Sequence, residues 1–348
     1  MSEAMLIPIE LERLPKEPLV TVLIPNYNYE HYVSFAIESV LRQTYKNIEI
    51  CICDDGSIDG SRDVIQKYAD KYQNIKYVKK ENGGQATALN EAYKLADGEI
   101  FCLLDSDDLF MDSKIEKVVN QFKTSSQAGI CTHFLLPVSA NDSPLGNTLP
   151  AKLDSGWLGF EALKGKRIFM PGMSGLSFRK AVLRDIFPIP VAFRKVADGY
   201  MRNLAKYVSS IVCINEALTR YRIHGGNVTA SKRISISTFK NLADDYALIN
   251  AHERKFLVTK LNVPPKSMET LWNSQEYLEY NLAASIMESN KRLSRELYGK
   301  LAMNHLVTDS RRRRIWKALV ILPRLLAKML LQWWWGNSRL KRIIKSLV

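Results

Sequence analysis

The sequence predicts an α/β fold: a Rossmann-like, mostly parallel sheet flanked by helices, followed by a helical C-terminal extension. Three observations point there. Short apolar, strand-like runs alternate with helix-periodic segments through the first 125 residues. An amide, a pair of carboxylates or a cluster of them follows three of the first four strands, where ligands bind in such sheets. From residue 235 onward the periodicity is helical throughout.

The elements follow in order. Val20–Ile24 is a short apolar run stopped by Pro25, and a helix pattern runs from about Glu30 to Gln43, with Val33, Ala36, Ile37, Val40 and Leu41 at helical spacing. Ile48–Cys53 is the second strand, closed by Asp54-Asp55-Gly56-Ser57, with a helix after it to about Tyr72. Ile75–Lys79 is the third, and Asn82-Gly83-Gly84 turns the chain into a helix through Ala96. Ile100–Leu104 is a wholly apolar fourth strand that runs into Asp105, as expected for a strand buried on both faces. A strand at Ile130–Leu136, a Pro/Gly/Asn-rich loop through Pro150 and a helix around Lys195–Val208 come next. Residues 235–308 read as two or three helices broken at Pro264-Pro265. The expected domains are an extension over 1–17, a catalytic domain over 18–230, a helical extension over 231–310 and a tail over 311–348.

Composition narrows the class. The chain has 348 residues, 46% apolar and 24% charged, which suits a globular protein with one or two cores. Its five cysteines (Cys51, Cys53, Cys102, Cys131 and Cys213) lack zinc spacing and imply a reducing compartment without disulfides. No basic region followed by a long apolar core opens the chain, so no secretory signal is expected and the catalytic part is placed in the cytoplasm. The net charge is +13, but residues 311–348 hold eleven basic residues and no acidic one, which leaves about +2 for residues 1–310. The basicity belongs to a tail, and a nucleic-acid groove across the fold is excluded.

That tail is apolar from Ile315 to Trp335 apart from a few charges and Pro323. Lys317, Arg324 and Lys328 fall within about 40° of one another on a helix. Charges inside the run argue against a spanning helix, since each costs roughly 2.5–3.5 kcal/mol at a bilayer centre. A helix lying in the interface suits the pattern, with the basic residues on anionic lipid, which makes the protein peripheral at the cytoplasmic face of a membrane. The competing reading is a helix packed on the protein's own core or on a second copy.

Asp105-Ser106-Asp107-Asp108 places three carboxylates in four residues. A divalent cation would relieve their repulsion, and Mn²⁺ or Mg²⁺ prefers such oxygens. The same residues also suit the start of a helix. Asp54-Asp55-Gly56-Ser57 reads equally as a tight turn or as carboxylates accepting from a base or ribose. Asn82-Gly83-Gly84-Gln85 could offer N–H groups to phosphate or be a turn. Tyr27 could stack on a base or belong to the core.

Taken together, these motifs in this order resemble family 2 of the glycosyltransferases, which have a GT-A fold. The resemblance rests on VTVLIPNYN, CICDDGSIDGS, ENGGQATALN and LLDSDD, resumes at ADGYMRNLAK and LTRYRIHGGNVT, and covers about residues 18–230. It implies that Pro25, Asn26 and Tyr27 form the first nucleotide-binding loop, and that Asp54 and Asp55 lie near uracil. Gly83, Gly84 and Gln85 would lie beside ribose and phosphate, with Asn90 on the helix after them. Asp105, Ser106 and Asp107 would be the DXD motif, with Asp107 the direct metal ligand and Asp108 a near neighbour. Asp198 matches the catalytic base, although the acid that usually precedes it is Ala197 here. His224 matches a position near the diphosphate, where it would bind the metal or the departing phosphate.

The implied activity is inverting sugar transfer from a nucleotide sugar, a UDP-sugar, to a glycan or lipid-linked acceptor. Two other classes are weighed against it. A sugar-1-phosphate nucleotidyltransferase would need a Gly-rich loop with Arg or Lys after the first strand, and Asn26-Tyr27-Asn28 is unlike that. A non-catalytic nucleotide-sugar-binding protein is favoured by the acid missing before Asp198.

Overall fold

The computed structural model describes residues 6–224, 235–304 and 310–335. The sheet is assembled from eight strands: β1 (Val20–Asn26), β2 (Ile48–Asp54), β3 (Ile75–Lys79), β4 (Ile100–Leu103), β5 (Leu109–Phe110), β6 (Ala128–Ser139), β7 (Leu176–Arg179) and β8 (Ser210–Ile223). Between them run α1 (Val33–Leu41), α2 (Ser61–Lys71), α3 (Gln85–Lys94), α4 (Lys114–Thr124), α5 (Gly159–Leu163), α6 (Lys180–Arg184) and α7 (Ala197–Val208). The strand order is β3-β2-β1-β4-β7-β6-β8-β5.

The first half is the alternating α/β pattern expected. β3, β2, β1 and β4 are mutually parallel, as crossover helices between them require. β2 is buried at every residue, because helices cover both of its faces. Beyond β4 the sheet is mixed. β7 is antiparallel to β4 and β6, β6 is parallel to β8, and β5 pairs antiparallel with the end of β8. Four of the seven strand pairs are parallel, so the sheet is mostly parallel as expected, and the three antiparallel pairs all lie beyond β4. The connections that reverse direction all lie after β4.

The topology decides where a site can form. Because β7 runs against its neighbours, its first residues lie toward the same end of the sheet as the last residues of β1, β2 and β4. The chain order also reverses between β1 and β4, which opens the crevice that α/β sheets use for ligands.

The core of this β-rich unit joins Val22, Ile24, Ile50, Ile52 and Cys102 on the sheet to Ile37, Ile65 and Val118 on α1, α2 and α4. All five cysteines are free, and burial pushes the Cys51 and Cys53 thiols up to about 12, so they behave as small apolar side chains.

The chain divides into two compact units after Ile223. The second unit holds α8 (Ile236–Thr259), α9 (Gln275–Glu288), α10 (Lys291–Met303), α11 (Ser310–Ile321) and α12 (Arg324–Trp335). α8 ends ahead of Pro264-Pro265, as the sequence suggested, and Pro323 separates α11 from α12. The tail, read from the sequence as separate, is built into this unit along its described length. Trp316, Leu319, Ala327 and Leu331 pack with Phe239, Leu278, Leu282, Leu297 and Leu301. Glu279 on α9 is buried and accepts from Arg312 Nε (2.6 Å) and Nη2 (2.5 Å) and from Trp316 Nε1 (3.0 Å). Arg339, Lys341, Arg342 and Lys345 of the tail lie outside the described residues. Among the described residues, no helix is long and apolar enough to cross a membrane.

Trp316 is fully buried, so Trp316→Ala should remove about 3–5 kcal/mol from the helical unit, by analogy with other large-to-small core changes. Chemical denaturation with far-UV circular dichroism measures this. A loss below about 1 kcal/mol would contradict the packing of α11.

Candidate active site

The acidic turn after β4 is fastened at every residue. Leu104 is buried and continues the strand line, so the turn begins at the sheet edge. The Asp105 N–H donates to Ser174 Oγ (3.0 Å), and Ser106 Oγ donates to the Pro25 carbonyl at the end of β1 (2.9 Å). Asp108 is buried, its Oδ2 accepting from Ser174 Oγ (2.6 Å) and its Oδ1 from the Arg222 N–H (2.9 Å). Arg222 Nε donates to the Asp107 carbonyl (3.0 Å) and Nη1 to the Ala140 carbonyl (2.7 Å), while its guanidinium lies 5.4 Å from the Tyr32 ring centre. The turn is thus pinned to β1, to the short helical turn Met173–Gly175 before β7, and to the end of β8.

These bonds hold like charges close together. Burial, and then the neighbouring carboxylates, push Asp105 and Asp108 well above the usual carboxylate range. The Asp198 carboxylate contributes to the shift of Asp105, which places it in the same electrostatic environment. Tyr29 hydrogen-bonds the Asp107 side chain, and burial foremost, then Asp107 and Asp105, raise its phenol far above the ordinary tyrosine value. A crowded, partly desolvated set of carboxylates is what a divalent cation would neutralise. Mg²⁺ and Mn²⁺ take one or two protein carboxylates and fill the remaining positions with phosphate and water, so the donor set of Asp105 and Asp107 fits. Among the described residues no group of three or more His, Cys, Asp or Glu side chains is arranged to hold a metal.

Asp54 and Asp55 brace the adjacent loops. Asp54 is fully buried and accepts from Asn26 Nδ2 (2.9 Å), the Ser57 N–H (2.9 Å) and Arg62 Nε (3.1 Å). The Asp55 carboxylate accepts from the N–H groups of Gly83 (2.9 Å) and Gly84 (2.7 Å) and from Lys80 Nζ (2.6 Å). The two glycine N–H groups, which the sequence suggested for phosphate, are therefore directed at Asp55. Gly84 has φ +92°, and a Cβ there would come within 2.7 Å of the Arg194 Cα, so both conformation and contact require glycine.

The same loop reaches the start of α7. Gln85 Oε1 accepts from the Ala197 N–H (3.0 Å), its Nε2 contacts Met173 Sδ (3.3 Å), and its own N–H donates to the Arg194 carbonyl (2.8 Å). Arg194 in turn donates to the Gly83 carbonyl (3.0 Å) and to Asn82 Oδ1 (2.8 Å). Asp198 sits in the first turn of α7, where the helix N-terminus favours a carboxylate, 3.8 Å from Arg202. Asn90 uses both ends of its amide on the Ile189 backbone and is thereby a packing residue.

In the first loop, Asn26 is buried and its Oδ1 has no hydrogen-bond partner, whereas Tyr27 is exposed and stands outside the core. His224 directly follows β8, and Gly225, Gly226 and Asn227 of its motif lie outside the described residues. Sequence reasoning missed Tyr29, Ser174, Arg194 and Arg222. Arg222 lay inside a quoted motif and Tyr29 directly after one, but nothing in their spacing tied them to Asp107. Ser174 is a small residue in a Gly-rich loop, and Arg194 carried no signal.

Comparison with known proteins identifies the chain. A model of the family described as Glycosyl transferase family 2 matches residues 21–186. An uncharacterized glycosyltransferase of Nostoc sp. is 36% identical over 245 residues, covering 69% of this chain and 76% of that protein. The chain belongs to the family 2 glycosyltransferases. Against the hyaluronan synthase of Pasteurella multocida it is 38% identical over 117 residues, 34% of this chain but only 12% of the synthase. Against an uncharacterized glycosyltransferase of Rickettsia typhi it is 48% identical over 103 residues, 30% of this chain and 31% of that protein. The crystal structure of S. aureus TarS 1–349 in complex with UDP-GlcNAc superposes with a TM-score of 0.53 at 17% identity, covering 85% of this chain and 91% of that one. That likeness supports the GT-A fold.

Arg222 holds the acidic turn at the Asp107 carbonyl and the Asp108 carboxylate, and so positions Asp107. If Asp107 holds a divalent cation, Arg222→Met should raise the Mn²⁺ or Mg²⁺ concentration needed for half-maximal turnover by about 10–100-fold, the usual cost of losing a supporting contact behind a metal ligand. A metal titration of donor turnover measures it, and an unchanged midpoint in a folded variant would remove the positioning role.

Proposed function

We propose that this glycosyltransferase moves a hexosyl or N-acetylhexosaminyl group, with inversion, from a UDP-sugar to a glycan or lipid-linked acceptor in surface polysaccharide or glycoconjugate biosynthesis. The observation that supports the reading is that Asp198, in the first turn of α7, acts electrostatically on Asp105, which shares the turn after β4 with Asp107. One carboxylate group can thereby hold the leaving side while another faces the acceptor side.

In this reading Asp105-Ser106-Asp107 is the DXD motif. Asp107, with Asp105 and His224, would hold Mn²⁺ or Mg²⁺, which when bound supplies positive charge to the diphosphate. Tyr29 orients the Asp107 carboxylate by its hydrogen bond. The exposed Tyr27 ring offers a stacking face to the base, and Pro25 and the unpartnered Asn26 Oδ1 line the nucleotide loop with it. Asp54, Asp55, Gly83, Gly84 and Gln85 contribute by holding that pocket in shape, because their polar groups already engage one another. Asp198 takes the proton from the acceptor hydroxyl as it attacks the anomeric carbon from the face opposite the nucleotide.

UDP as the nucleotide agrees with the UDP-GlcNAc held by the TarS neighbour, and a glycan acceptor agrees with the hyaluronan synthase match. We place the chain in the cytoplasm, peripheral at the cytoplasmic face of a membrane, through its C-terminal helices.

Asp198→Asn should keep donor affinity and lower turnover by about 10²–10⁴-fold, the range for a lost general base. Calorimetry with UDP-sugars and a UDP-release assay separate the two, and wild-type turnover in the variant would eliminate Asp198 as base. Asp107→Asn should abolish metal-dependent turnover, and activity that still responds to Mn²⁺ in that variant would refute the metal assignment. Release of pyrophosphate instead of UDP would restore the nucleotidyltransferase reading. Absence of turnover with every donor and acceptor tried, alongside donor binding, would favour a binding protein.

A further inference from the structure

α12 has two apolar faces, and only one of them is used. Ala327 and Leu331 are buried against the helical unit, but Leu325, Leu326, Met329, Leu330 and Trp333 are exposed. Leu325 is 72% and Met329 60% accessible. At about 100° per residue, these five side chains occupy one continuous arc roughly 140° wide, separate from the arc of about 40° that Ala327 and Leu331 bury. Ile321, 74% exposed at the end of α11, adds to the same apolar surface in sequence. A soluble surface rarely carries so many large apolar side chains side by side.

The charges beside this ridge indicate its occupant. Arg314 and Lys317 are exposed on α11, and Lys328 is half-buried between the two apolar arcs of α12. Residues 311–348 hold eleven basic residues and no acidic one. A second copy docking ridge to ridge would bring like charges together, whereas an anionic lipid surface would neutralise them. An exposed apolar arc bordered by basic side chains, with a tryptophan in the arc, is the arrangement of a helix lying in a bilayer interface.

We infer that the Leu325–Leu326–Met329–Leu330–Trp333 ridge of α12 is the surface that inserts among anionic lipids, while the opposite face of the same helix stays packed on the protein. This rests on the peripheral membrane reading above and deepens it by assigning the contact to one face. The membrane-bound form keeps Trp316, Ala327 and Leu331 buried, so binding requires no unfolding of the helical unit.

The test uses the full chain and two kinds of vesicle, phosphatidylcholine alone and phosphatidylcholine with phosphatidylglycerol. The wild-type protein should co-sediment with the anionic vesicles, less so at high salt. The double variant Leu325→Glu/Met329→Glu should lose at least about tenfold of that partitioning, with its melting temperature and its UDP release in solution unchanged. Ile321→Gln/Leu326→Gln, a milder pair at exposed positions, should lose part of it and serves if the first pair fails to fold. Undiminished binding by both pairs would overturn the ridge while leaving the membrane reading intact. No binding by the wild type to either vesicle would overturn both. A wild-type dimer that the variants convert to monomer, without vesicle binding, would assign the ridge to self-association and overturn the inference.

Discussion

The candidate site depends first on the buried carboxylate of Asp108. It draws the Ser174 hydroxyl from the turn before β7 and the Arg222 N–H from β8 onto one residue of the turn after β4. Those three segments are far apart in sequence and converge only because β7 runs antiparallel to its neighbours. A buried carboxylate is costly unless its oxygens are satisfied, so the fold must bring both donors together for the turn to exist. Asp105 and Asp107, on the same turn, inherit their positions from that anchoring. Arg222 extends it from the Asp107 carbonyl to the Ala140 carbonyl, and so joins the acidic turn to the loop after β6.

A second pair of carboxylates does the same for the nucleotide side. Asp54 collects donors from the ends of β1 and β2 and from α2, and Asp55 collects them from the Gly83–Gly84 turn and Lys80. Because Gln85 then bonds Ala197, the turn also sets where α7 begins, and with it Asp198. The nucleotide loops and the proposed base are thereby mechanically linked. Catalysis by positioned charges needs this kind of preorganisation, since a group that must be held during reaction cannot also be free to wander.

The N-terminal sheet was legible in the sequence because its strands are short, apolar-rich runs that end in polar punctuation. β1 through β4 lie within a residue or two of their expected bounds. The mixed half was not, since β5 has two residues, β7 four, and neither carries a periodic signal. In the site, carboxylates and glycines announced themselves by type and clustering. Their partners did not, because Ser174, Arg194 and Arg222 act through hydrogen bonds to segments far away in sequence, and such pairings follow from topology alone. The same blindness explains why the N–H groups of Gly83 and Gly84 were read toward phosphate: a sequence shows that a turn offers donors, but not that Asp55 lies beneath them.

The C-terminal helices show a different limit. An apolar run with a few charges is equally compatible with packing and with lipid, and the sequence offered these as competing alternatives. The buried carboxylate of Glu279 decides how far each can hold. It accepts from Arg312 and Trp316 as well as from Gln275 on its own helix, so withdrawing α11 would strip three hydrogen bonds from a buried carboxylate, a change that typically costs several kcal/mol. α11 therefore cannot behave as a detachable anchor that leaves the protein to enter a membrane. Whatever α12 meets on its outer side must be met with the inner side still in place, which makes the two readings consecutive faces of one helix rather than rivals.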